Sequence, residues 1–317
     1  MLEQRLAATA RELTRAQWHE RVAAAAPLLP FADPDWLALG LRADPELRFA
    51  PLSLEFDAGE LLLPLCRSAT TAQLGCFGYG TICTGPGWRA PRLPDFRDLG
   101  EAVAARTGLR GLATLLPPAA VLPDLDAMVA HWPTGPGPTT YLLDLAGGAG
   151  RVWTAARGRV RTAVRRAGQL GLRVQSGAGD ATAVGATSRS LVELHRQTMA
   201  RHDRDTPYRE GDLAFLAAEP DTGPVTVLVH DADGPQAACV MAVGGGVAYH
   251  IMQLTSDRGR ASNAGVLALW TAISRLAERG VTLLDLGSAS EPGQERFKAG
   301  WGAVPAAARL VRWELPS

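Results

Sequence analysis

Apolar positions change period along this chain, and each change marks an element. Near the N-terminus Leu2, Leu6, Leu13, Trp18 and Val22 recur near helical spacing with alanines between them, which predicts a helix over 1–26. Asp33 before Pro34 predicts a helix start, with Trp36, Leu37, Leu39 and Leu41 on its packed side. Two β-rich runs, 50–56 and 61–66, flank Asp57-Ala58-Gly59-Glu60 and read as a hairpin. The glycine-rich aromatic run 76–87 reads as loop, 98–107 as helix and 111–116 as strand.

The alternating Pro and Gly of 133–138 predict an interdomain linker, followed by a strand over 140–145. A single helix is expected over 153–171, with Trp153, Ala156, Val160, Ala163, Val164 and Ala167 on its core side. A second helix covers 188–202. Three strands follow at 226–230, 237–243 and 247–254, and Gly244-Gly245-Gly246 turns the last pair into a hairpin. Val266, Leu267, Trp270, Ile273, Leu276 and Ala277 share one side of a helix over 264–279 that Gly280 stops. The apolar run 281–286 reads as a buried parallel strand, broken by Gly287-Ser288-Ala289-Ser290, and 308–315 as a last strand.

Composition narrows the class. A length of 317 residues suggests two domains, and 47% hydrophobic with 20% charged residues fits a soluble globular chain with a sizeable core. The formal net charge is zero, so no overall field draws the molecule to nucleic acid or membrane, and any polyanion must meet a local patch. Cys66, Cys76, Cys83 and Cys239 lack paired CxxC spacing, which argues against zinc. Scattered cysteines point to a reducing cytoplasm, and the apolar run 22–30 is too short for an export or membrane-spanning segment.

Chemistry then enters through one residue. Lys298 is the only lysine; the other 31 of the 32 basic side chains are arginine. An ammonium is a compact point charge that a planar guanidinium cannot replace where space is tight. Lys298 follows the strand 281–286, and open α/β sheets bind ligands past the carboxyl ends of their strands. Chance retention of one lysine is the plain alternative. Arg157, Arg161 and Arg165 repeat every four residues, Arg151, Arg159, Arg166 and Arg173 add to them, and no acid occurs between Asp144 and Asp180. Such a face suits phosphates; equally, it is a solvated face balanced by acids elsewhere. Tyr249 and His250 point to opposite faces of their strand. Asp285 and Asn263 read first as caps of local N–H groups and second as functional groups. His195 and His202 lie two turns apart, too far for one compact metal site.

The order hairpin, helix 264–279, strand 281–286 resembles the second half of a GNAT acyltransferase. Taken with Leu143-Asp144-Leu145, Trp153, RVRTAVRRAGQLGLRV, Tyr249–Thr255, Asn263, AISRLAERG, LLDLG and FKAGWGA, the chain resembles the FemABX-like tandem-GNAT aminoacyltransferases. The resemblance covers about half of the second domain and little of the first, where 31–36 and 62–65 carry a weaker pattern. It implies an α/β (α+β) fold of two GNAT-like domains, 1–137 and 138–317, each a mixed, mostly antiparallel sheet flanked by helices, with a cleft between them. It also implies an aminoacyl group taken from the 3′ end of aminoacyl-tRNA, with no further cofactor, and joined by an amide bond to an amine. The family's Phe-Lys pair matches Phe297-Lys298.

Two departures bear on the acceptor. The lysine that peptidoglycan-building members carry after the first-domain Trp has no match, since Leu37 to Leu41 follow Trp36. Nor is there room after 188–202 for a coiled-coil arm. A small peptide or natural-product amine is therefore the expected acceptor. Lys298 is expected to stabilise the oxyanion or grip the terminal ribose phosphate, and Phe297 to stack on adenine or pack in the core. Arg157, Arg161 and Arg165 are expected to hold phosphates, and Tyr249, Asn263, Ser288 and Arg296 to complete the substrate contacts. The alternative is a CoA-dependent N-acyltransferase, which binds pyrophosphate on a (Q/R)-x-x-G-x-(G/A) loop at a helix start. Arg260-x-x-Asn263-x-Gly265 keeps that frame with asparagine in place of the first glycine. A third reading is a binding protein that has lost the chemistry.

Overall fold

The computed structural model describes residues 6–27, 29–119, 121–177, 181–218 and 223–316. The chain divides into two compact units, Met1–Pro138 with Ala307–Ser317, and Thr139–Ala306.

The first unit opens with strand β1 (Leu6–Glu12), helix α1 (Arg15–Ala24) and strand β2 (Ala26–Pro27). The continuous helix expected over 1–26 is thus corrected, its residues 1–5 lying outside the described ones. A reciprocal cap sets the break: the Gln17 N–H donates to Thr14 Oγ1 at 3.2 Å and the Thr14 N–H to Gln17 Oε1 at 2.9 Å. A cap at Thr14 fixes the helix start, and the residues before it pair antiparallel with β4, Arg11 opposite Ser53 and Glu12 opposite Leu52. Helix α2 (Pro34–Ala43) begins as expected, with Asp33 Oδ1 accepting the Asp35 N–H at 2.8 Å. Short strands follow: β3 (Arg48–Phe49), β4 (Leu52–Phe56), β5 (Gly59–Leu63), β6 (Leu65–Arg67), β7 (Thr71–Leu74) and β8 (Cys83–Thr84). Helix α3 (Phe96–Thr107), strand β9 (Gly111–Leu116) and helix α4 (Pro123–Val129) complete the run. One sheet has the order β1-β4-β5-β8-β2; β9, β7, β6 and β3 form another, in which β7 and β9 run parallel. Trp18 is fully buried, its Nε1 donating to Ala32 O at 3.1 Å, and packs with Leu13, Val22, Leu37, Leu62 and Cys83.

Strand β10 (Gly135–Asp144) takes in most of the Pro/Gly run that was expected to be a linker. Proline is compatible with extended backbone, and glycine admits a close neighbour: a Cβ on Gly137 would lie 2.8 Å from Ala308 O. The chain leaves the first unit through this strand and returns to it at the end through β16 (Val304–Glu314), whose Arg309 to Glu314 pair with β9.

The second unit contains helices α5 (Gly148–Ala155) and α6 (Gly158–Gln169), strand β11 (Arg173–Ser176), helices α7 (Ala181–Ala200) and α8 (Ala214–Ala217), and strands β12 (Val225–Asp231), β13 (Gly234–Gly244) and β14 (Val247–Thr255). Helices α9 (Asp257–Ala261) and α10 (Ala264–Glu278), strand β15 (Leu283–Ser288) and helix α11 (Pro292–Gly300) follow. The strand order is β11-β12-β13-β14-β15-β10, antiparallel except for the β14–β15 pair. Val225, Val227 and Val229 of β12 and Cys239 and Met241 of β13 share a core with Ala268, Leu269, Ala272 and Ile273 of α10 and Val160 and Val164 of α6. Thr226, on the alternate side of β12, donates its hydroxyl to Leu216 O of α8 at 2.6 Å.

Two expectations change here. The helix expected over 153–171 breaks after Ala155, because Ala156 and Arg157 are extended (ψ 141° and 147°) and the Arg157 N–H donates to Gly300 O at 2.8 Å instead of continuing the helix. The strand expected to begin at Val281 begins at Leu283. Gly280 is left-handed (φ 75°), its N–H donating to Ala277 O and that of Val281 to Leu276 O at 3.0 Å, so Val281 closes α10.

Candidate functional site

Strands β14 and β15 are paired at three positions only: Val247 with Leu283, Ala248 with Leu284, Tyr249 with Asp285. Beyond Tyr249, β14 runs on to Thr255 and β15 to Ser288 without pairing to each other. The β13–β14 register slips at the same place, Val240 facing Met252 while Met241 faces His250. A bulge of this kind bends its strand, here where β14 and β15 part and leave a gap in their pairing. The site is built around that gap.

Asp285, 2% exposed, closes the bend at the C-terminal end of β15. Its Oδ1 accepts the Gly287 N–H at 2.7 Å and the hydroxyl of Thr140. Gly287 has φ 74°, a backbone state that glycine adopts without penalty. Asp285 is thus the cap of local N–H groups that the sequence suggested first. Lys298, on α11, is 8% exposed. Its Nζ donates to Gly287 O at 2.8 Å and Ser288 O at 2.6 Å, and lies 5.7 Å from the centroid of the Tyr141 ring. An ammonium has three N–H donors, so two carbonyls leave one.

The surroundings set the protonation states. Burial pulls the Lys298 ammonium down to about 8, with Asp285 opposing the shift. Burial and then the Lys298 charge lower the His250 imidazole to about 4, and its Nε2 is buried with no hydrogen-bond partner among the described residues. Burial and then Asp285 raise the Tyr249 phenol; burial and then Glu295 raise that of Tyr141. At neutral pH the surroundings of Asp285 and Lys298 therefore hold one ammonium, a neutral imidazole and two neutral phenols.

Of the residues expected in a site, Lys298, Ser288 (through its carbonyl) and Tyr249 come together here. Phe297 faces another way: its ring meets Trp301 edge-on at 6.4 Å and packs against the core. The Arg296 carbonyl accepts Arg159 Nη2 at 2.8 Å. Arg157, Arg161 and Arg165 do not form one helix face, because the break at 156–157 leaves Arg157 as the N-cap residue of α6. Arg161 turns its guanidinium back onto the last carbonyls of α5, Thr154 O at 3.2 Å and Ala156 O. Arg165 lies 5.4 Å over the Trp153 ring. Among the described residues, none of Arg157, Arg159, Arg161, Arg165 and Arg166 pairs with a carboxylate, whereas Arg151 lies 3.5 Å from Asp144.

Asn263 sits at the start of α10 in a left-handed conformation (φ 58°) without a side-chain cap bond. Ala264 is fully buried, a Cβ on Gly265 would lie 2.8 Å from Thr255 Cγ2, and α9 takes the Ser262 N–H on Arg258 O at 2.9 Å. Thr140, Tyr141 and Glu295 were not anticipated. Thr140 and Asp285 are 145 positions apart, and no local spacing announces such a pair. No group of three or more His, Cys, Asp and Glu among the described residues is placed to hold a metal ion, and no described helix is long and apolar enough to cross a membrane.

Residues 154–299 match the family described as acetyltransferase (GNAT) domain. No curated protein sequence matches the chain. Among solved structures it is similar to FemX, with a TM-score of 0.62 at 11% identity over 97% of both chains. It is similar also to the C-terminal domain of a putative lysylphosphatidylglycerol synthetase from Agrobacterium fabrum, with a TM-score of 0.61 at 13% identity over 94% of this chain and 92% of that one. L-PGS from Bacillus licheniformis gives 0.55 at 12% identity over 91% and 93%. The fold is α/β with two GNAT-like units of mixed sheet flanked by helices, and the second unit carries the GNAT-domain match.

Proposed function

We propose that the protein is an acyltransferase that moves an aminoacyl group from aminoacyl-tRNA to the amine of a small peptide or natural-product intermediate, in the cytoplasm and without a further cofactor. The observation that carries this reading is the Lys298 ammonium, held between the Gly287 and Ser288 carbonyls beside the gap between β14 and β15. In the reaction a neutral amine attacks the ester carbonyl carbon, and a C–N bond forms while the carbonyl π electrons move to oxygen. The remaining Lys298 N–H meets that oxyanion. Collapse expels the ribose oxygen, which takes the proton the amine loses, leaving an amide and free tRNA.

Several features support this donor. The chain resembles FemABX-like enzymes in its motifs, and one structure similar to it is of a putative lysylphosphatidylglycerol synthetase, whose named product carries an aminoacyl group. Arg157, Arg159 and Arg166 are exposed and without carboxylate partners among the described residues, as phosphate binding requires. Asn263, standing where a CoA-binding loop carries its first glycine, supports a donor other than acyl-CoA.

The test offers purified protein a charged-tRNA pool and, separately, acyl-CoAs, and reads a panel of amines by mass spectrometry. Transfer from the tRNA pool is expected. Lys298→Ala should lower it roughly 10²–10³-fold, the usual loss for an oxyanion donor. Wild-type turnover by both Lys298→Ala and Lys298→Arg proteins of intact fold, or transfer from acyl-CoA alone, ends the reading.

A further inference from the structure

An open polar pocket of about 470 Å³ lies between the C-terminal end of α7 and the start of α11, and its charged lining residues are exposed. His202, Asp203 and Arg204 line one side; Ser290, Glu291 and Gln294 line the other. Both signs of charge face the same space, yet among the described residues none of these ionisable groups pairs with an opposite charge. The neighbouring Arg201 differs, with its guanidinium on Thr255 O at 2.7 Å and 3.7 Å from Asp257.

Backbone fixes both walls. Past α7 the His202 and Arg204 N–H groups both donate to Met199 O, at 2.8 and 3.1 Å, and Asp203 between them is left-handed (φ 53°). On the other wall Gln294 Oε1 accepts the Ser290 N–H at 3.1 Å. Gln294 stands one turn before Lys298 on α11, and Lys298 holds Ser288 O at the end of β15, two residues before Ser290 of the pocket wall.

We propose that this pocket holds the acceptor, and that the acceptor is a zwitterion: a free amino acid or short peptide with an open carboxyl end. Arg204 takes the carboxylate, and Asp203 and Glu291 flank the ammonium, which gives one proton to solvent to become the neutral amine that attacks. A ligand carrying both charges supplies each unpaired group with its opposite, and a simple amine or a simple acid satisfies only half of them. The inference rests on the transfer reading above and names the class of amine on which it acts.

Calorimetry without donor tests it, using L-alanyl-L-alanine as probe beside L-alanyl-L-alaninamide and N-acetyl-L-alanyl-L-alanine. The free dipeptide should bind at least about tenfold more tightly than either capped form, as expected for loss of one charged hydrogen bond. Arg204→Gln should abolish discrimination against the amide while keeping that against the acetyl form, and the double variant Asp203→Asn with Glu291→Gln should do the reverse. Equal binding of all three probes, no binding of the free dipeptide, or variants that discriminate like wild type overturn the proposal. Transfer from aminoacyl-tRNA to the amine panel is read separately, so the pocket can fail while the transferase reading stands, and the converse.

Discussion

The dry setting of His250 makes stability depend on pH in a definite direction. Its imidazole is held at about 4 against an ordinary 6.5, through burial first and the Lys298 charge second. As pH falls below 6.5 the unfolded chain takes a proton that the folded chain refuses until about pH 4. Stability therefore drops across this window, and the neutral imidazole's contribution is whole above it. A shift from 6.5 to about 4 at roughly 1.4 kcal/mol per unit sets an upper value of about 3–4 kcal/mol for the loss. The assay is urea unfolding at steps from pH 7 to pH 4, wild type against His250→Gln. Other histidines such as His195 and His230, also lowered by burial, contribute to both proteins and cancel in the difference. The variant should lose less stability on acidification, by up to that amount. Lys298→Met should narrow the window, since removing the cation lets the imidazole rise. Parallel curves for wild type and His250→Gln would refute the reasoning.

Arg161 should behave as a cap rather than a phosphate ligand. Arg161→Ala exposes the last carbonyls of α5 and should cost about 1–3 kcal/mol in urea unfolding, with little change in the salt dependence of tRNA binding. Arg159→Ala and Arg166→Ala should show the opposite pattern, each reducing the salt slope by up to about one. Gly259→Ala would place a Cβ 2.0 Å from Gln236 O and 2.8 Å from its carbonyl carbon, neither of which can turn aside. It should destabilise by about 1–3 kcal/mol through displacement of α9; an unchanged unfolding midpoint would contradict that packing.

What could be read in advance divides along a physical line. Periodicity located α2, α3, α10 and the β12–β14 hairpins because each is set within a few residues by caps, glycine turns and one apolar face. It failed where long-range pairing overrode it. Leu6–Glu12 has a spacing compatible with a helix, yet β4 supplies a partner strand and Thr14 a cap that starts the helix later. Residues 153–171 look like one helix, and the break at Ala156 exists because the Arg157 N–H is claimed by Gly300, which lies far along the chain.

The same division runs through the candidate site. Lys298 stood out because it is one lysine among arginines, and its place after a parallel strand was local information. Its environment was not local. Tyr141 and Thr140 arrive on β10 and His250 on β14, each beside Lys298 or Asp285 only after the sheet has formed. The arginine repeat shows the cost of reading spacing without the backbone beneath it. Arg161 and Arg165 are four apart on α6 as predicted, but one bonds to the end of the preceding helix and the other covers Trp153. A cation's spacing tells which face it occupies; what it does there depends on which carbonyls and rings lie within reach. The ammonium on α11 follows the same rule, because the two carbonyls it holds are the last of β15, whose end is bent where Asp285 accepts the Gly287 N–H.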